Sequence, residues 1–70
     1  MSLDKVEPGA EVCILSIPEG PEKLQLMRMG VTEGTRVKCH GKLPSGPVVL
    51  KCRRQEIAIG RQLAAGILVQ

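Results

Sequence analysis

Aromatic residues are missing from this 70-residue chain, which has no Phe, Tyr or Trp. That excludes stacking platforms for single-stranded bases and aromatic cages for cationic ligands, since both need π-faces. Long apolar runs are absent as well: none approaches the roughly 20 residues that a helix needs to cross a bilayer. Any service to a membrane is therefore expected from outside it. Cysteine is present in an odd number, three, and residues 1–11 are polar, with Asp4, Lys5 and Glu7, unlike a secretory leader. A disulfide-stapled secreted domain is not expected, and a reducing cytosol with free thiols fits. Catalytic sets are thin. Serine occurs only at Ser2, Ser16 and Ser45, His40 is the single histidine, and carboxylates fall on termini and turns. With no G-x-x-x-x-G-K-[ST] phosphate loop either, the chain is expected not to be an enzyme.

What remains is 43% apolar and 24% charged, a globular balance, with a net charge of +3. The length allows a single domain over residues 1–70, burying only roughly 60% of the surface its unfolded chain exposes. Eight Gly and five Pro punctuate it into short elements. Glu11 to Ile17, rich in Val and Ile, reads as a first strand ended by Pro18. Glu22 to Met29 holds strong helix formers behind Pro21 at the first helical position, and Gly30 reads as the left-handed residue that stops the helix, with Val31 packing back. Thr35 to Lys42 and Val48 to Arg53 alternate with period two around the loop Leu43–Pro47. Arg54-Gln55 reads as a turn, Glu56 to Ile59 as a short strand, Gly60 to Ala65 as a helical turn, and Gly66 to Gln70 as a closing strand. Together these predict a mainly β fold, a small five-stranded barrel with one or two short inserted helices.

The segment Leu26-Met27-Arg28-Met29-Gly30-Val31-Thr32-Glu33-Gly34-Thr35-Arg36-Val37, the lead-in Gly46-Pro47-Val48, and the closing stretch Glu56 to Val69 occur in this order. The set resembles the ferrous iron transport protein A (FeoA) family over nearly the whole chain. One departure is Ile59-Gly60, where that family commonly has leucine followed by arginine; here Arg61 comes one place later. The resemblance implies an SH3-like barrel. It also implies a small cytosolic accessory of ferrous iron uptake, without a DNA-binding helix-turn-helix, acting on a FeoB-type membrane transporter that carries a cytosolic GTPase domain. Its localisation would be cytoplasmic, at the inner membrane only through that partner. An open sheet edge also allows homo-oligomers.

Several residues stand out as site candidates. Cys13, Cys39, His40 and Cys52 are of the right type to ligate Fe(II) or Zn(II). Their spacing opposes it: adjacent Cys39 and His40 leave opposite faces of a strand, and Cys39 and Cys52 fall in the apolar parity. No resident metal or other cofactor is required. From Gly34 to Gln55 there are six basic residues and no acidic one. Alternation puts Arg36, Lys38, Lys51 and Arg53 on the outer faces of two paired strands, either for solubility and edge protection or as a docking face for an acidic partner surface or phosphate. A small nucleic-acid-binding barrel is the alternative reading of those four residues, and a Cys/His metal-binding protein a more remote one. Without aromatics and with modest charge, no nucleic acid is expected as a partner. On the helix, Leu24, Leu26, Met27 and Met29 spread wider than one buried stripe. Two are expected to face the core; the helix is then either only a plug for the barrel, with Met filling gaps, or it presents Leu24 and Met27, with Arg28, as an adaptable contact surface.

Overall fold

The computed structural model describes residues 1–70. Period-two apolar patterning becomes five strands: β1 (Glu11–Ser16), β2 (Arg36–Lys42), β3 (Val48–Cys52), β4 (Gln55–Ile59) and β5 (Leu68–Val69). They form one antiparallel sheet in the order β4-β3-β2-β1-β5. Two helices interrupt them, α1 (Pro21–Arg28) and α2 (Arg61–Gly66). This is the mainly β, SH3-like arrangement expected, although the sheet is not strictly closed: β4 and β5 stand at its two ends, and α2 carries the chain between them.

Curling is achieved by β1, whose first half pairs with β2 and whose second half pairs with β5. A bulge between Ile14 and Ser16 shifts the alternation by one, so Val12, Ile14 and then Ile17 all point inward. A second bulge, at His40, breaks the clean alternation expected of β2. Cys39 pairs with Leu50 and Gly41 with Val49, which leaves His40 as the extra residue. Beyond it Lys42 lies opposite the buried Val48, and its Nζ donates to the Asp4 carbonyl at 3.1 Å.

All seventeen buried residues are apolar or thiol, and they make one cluster. A 3-10 turn over Leu3–Lys5 adds Leu3 and Val6 to it, a contribution the polar look of residues 1–11 conceals. The helix stop is as expected. Gly30 takes φ 87°, its N–H donates to Met27, and the Val31 N–H donates to the Leu26 carbonyl at 2.8 Å. Leu26 and Val31 are both buried, which is the apolar contact that accompanies this kind of cap.

Candidate docking surface

Helix α1 has eight residues, and only Leu26 among its apolar side chains is buried, at 4% exposure. Leu24 is 49% exposed, Met27 47%, and Met29, at the C-cap, 37%. The expectation that two of the four face the core is corrected here: the helix stands on one side chain, because its carboxyl end is held by other means. The Gln55 Nε2 donates to the Met29 carbonyl at 2.6 Å, and a Cβ built on Gly30 would sit 3.2 Å from Arg53 Nη1. Both groups come from the β3–β4 hairpin, and the cation complements the negative end of the helix dipole. Beside the exposed stripe lies a shallow depression of about 310 Å³, lined by Glu19, Gly20, Lys23, Leu24 and Met27. Arg28 is exposed at the end of the same helix. Leu24, Met27 and Arg28 are therefore all accessible.

Arg53 is not where alternation put it. β3 ends at Cys52, and Cys52 pairs with Gln55, so the turn is Arg53-Arg54 rather than Arg54-Gln55. Two-residue hairpin turns need positive φ, and Arg53 supplies it at φ 59°. A non-glycine residue there costs roughly 1–2 kcal/mol.

The other three basic candidates do sit on the outer face. Register sets Glu11 opposite Lys38, Lys38 opposite Lys51, and Lys51 opposite Glu56, so four strands contribute one row: acid, base, base, acid. The run without acidic residues is thus bounded in space by two carboxylates from outside it, which only the register reveals. Arg36 reaches Glu11 at 3.5 Å, and His40, turned out by its bulge, reaches Glu56 with Nε2–Oε2 at 3.1 Å. Lys38 and Lys51 have no carboxylate within ion-pair distance.

The thiols and the histidine do not converge. Cys39 and Cys52 are buried in the core, whereas His40 leaves the opposite side of β2 and Cys13 is half-buried on β1 in parity with Glu11 and Leu15. No group of three or more His, Cys, Asp or Glu side chains is placed to hold a metal ion.

Arg61, displaced relative to the family pattern, has a definite task. Its Nε donates to the Gly46 carbonyl at 2.6 Å and its Nη2 to the Leu43 carbonyl at 2.8 Å, pinning the β2–β3 loop. Gly46 is required there, since a Cβ would lie 2.9 Å from Leu43 Cβ. Nothing in the spacing of the sequence signals this latch.

No helix is long and apolar enough to cross a membrane. Among curated proteins no match to the chain was found. Solved structures do match. A crystal structure of an iron uptake regulatory protein, FeoA, is 28% identical, with a TM-score of 0.84 over 100% of this chain and 95% of that one. The solution structure of the FeoA protein from Chlorobium tepidum is 26% identical, with a TM-score of 0.90 over 100% and 69%. A FeoA-like protein from Clostridium acetobutylicum is 30% identical, with a TM-score of 0.81 over 100% and 84%. The family model for the FeoA domain matches residues 1–70. Sequence order, fold and these likenesses agree: the chain belongs to the FeoA family, which is associated with ferrous iron uptake.

Proposed function

We propose that this chain is a cytosolic, non-catalytic accessory of ferrous iron uptake that docks on a FeoB-type membrane transporter and regulates it by contact. The observation that carries the reading is the α1 stripe. An eight-residue helix with a single buried apolar side chain leaves Leu24, Met27 and Met29 to solvent. Core packing does not account for them, and Met and Leu grouped on one helix suit an adaptable protein contact. Arg28 lies at the end of this surface, and the hairpin tip that steadies α1 joins it to the basic residues Arg36, Lys38, Lys51 and Arg53. Ferrous iron is the transporter's cargo in this reading, and no metal need reside on the chain.

The test is an amide NMR titration of the labelled chain with the cytosolic GTPase domain of the cognate transporter at physiological salt. Shifts concentrated on residues 24–30 and on the hairpin tip are expected. Replacing Leu24 and Met27 by Asp should abolish them while changing stability by no more than about 0.5 kcal/mol, because both sites are exposed. Silence at high partner concentration would remove direct docking on that domain.

A further inference from the structure

Outside the α1 stripe, Arg36, Lys38, Lys51 and Arg53 gather on one patch, and the fold leaves its two lysines without an acidic partner. Lys38 and Lys51 are direct cross-strand partners, and Arg36, on β2, and Arg53, in the β3–β4 turn, flank them. Opposite Cβ atoms in such a pair lie about 5 Å apart. The side chains rim a shallow depression of about 270 Å³. Like charges placed directly opposite each other oppose pairing, and the two nearest carboxylates do not relieve them. Glu11 is drawn to Arg36 and Glu56 to His40, so neither lysine has an acidic partner within 4.0 Å.

We infer that this array is a binding site for one compact phosphoryl dianion, either inorganic phosphate or the terminal group of a phosphomonoester. Three features select that chemistry. The cations approach from opposite sides of a narrow patch, which suits a group carrying two charges on several oxygens better than a single carboxylate. Glu11 and Glu56 close the lysine row at both ends and repel a second phosphate beside the first, so an extended nucleic-acid strand is disfavoured. Arg53 is held in position by the turn at φ 59° and by its place over Gly30, so part of the site is organised in advance. The assignment extends the docking reading by giving the basic face a ligand of its own, and it is tested on the isolated chain, so either can fail alone.

The full labelled chain is titrated with potassium phosphate at pH 7.5, where the dianion prevails, with sodium chloride holding ionic strength constant. Saturable amide shifts are expected around residues 36–39 and 50–53. Lys38→Gln and Lys51→Gln should each weaken binding about tenfold, the loss of one charge-assisted hydrogen bond. Glu11→Gln should tighten it. O-phosphoserine binding more tightly than phosphate would place the group on an ester, and equal binding would assign free phosphate; both support the site. Shifts that do not saturate, that persist in the Lys38→Gln/Lys51→Gln double variant, or that chloride alone reproduces would overturn it. So would an oligonucleotide binding more tightly than phosphate with a steep salt dependence.

Discussion

On the inner side of the sheet, Val37, Cys39, Leu50, Cys52 and Ile57 belong to one apolar and thiol cluster, while on the outer side the strands line up Glu11, Lys38, Lys51 and Glu56. The first face is filled by volume and the second is arranged by charge. Inward residues bury area whatever their partners, so each contributes on the order of 1.5–3 kcal/mol from transfer alone. Outward residues gain or lose only through a neighbour, in water, where single pairs contribute about 0 to 1 kcal/mol. Stability therefore resides inside, and recognition is free to vary outside.

The widest gap between the faces should appear on truncation. Leu50→Ala removes a fully buried side chain from the interior strand β3 and is expected to cost about 2–5 kcal/mol, read from the denaturant midpoint. In so small a domain that loss approaches unfolding. Arg61→Ala blurs the division, because an outward guanidinium there holds backbone carbonyls rather than other charges. A loss of about 1–3 kcal/mol is expected, with faster amide exchange at Gly46, and Arg61→Lys should restore only part of it. By contrast Lys38→Gln or Lys51→Gln should move stability by no more than about 0.5 kcal/mol, and any change should vanish in 1 M salt. A larger effect would show that the outer row contributes to folding and would break the comparison.

The smallest effect concerns pH. Lys23 Nζ lies 2.8 Å from Glu19 and 3.1 Å from Glu33. Its hydrogen bond to Glu19, and then that to Glu33, raise the ammonium above its ordinary 10.5. Glu33 is held below its ordinary 4.5 by its own backbone N–H and then by Lys23. The Glu33 contribution is present above 4.5 and fades as pH falls through the lowered value, whereas that of Lys23 is present below 10.5 and fades as pH rises through the raised one. Lys23→Met should lower stability slightly around neutral pH, the difference shrinking on both the acid and the alkaline flank, while the part of the acid flank set by the Glu33 backbone N–H persists.

The inner face is legible from sequence because a period of two needs no partner to be read. Val37 and Cys39, or Leu50 and Cys52, announce their side from their own strand. A small five-stranded barrel follows from strand count and turn placement, its SH3-like class from the family resemblance, and the helix stop from Gly30 and Val31. The outer face is not legible in the same way. Glu11 lies far before the basic run and Glu56 directly after it, and only the pairing register sets them beside Lys38 and Lys51. Arg53 looks like one more outward strand residue until the two-residue turn claims it. The bulge at His40 is a defect in pairing between two strands, which neither strand's pattern declares. Leu3 and Val6 join the core through an N-terminal turn that the charged residues around them hide. Of the docking surface, the apolar width of α1 showed in the sequence, but that Leu26 alone is buried depends on the hairpin holding the helix end.

The division of β1 between two partners also bears on how quickly the sheet assembles. β2, β3 and β4 are joined by short turns, so their pairing closes small loops and is expected to form early. The second half of β1 must instead wait for β5, more than fifty residues away, together with the bridge from Ser2 to Leu68. That closure carries the largest loop entropy in the chain. Substitutions at Ile14 or Val69 should therefore accelerate unfolding while leaving the folding rate nearly unchanged, and those at Leu50 should slow folding.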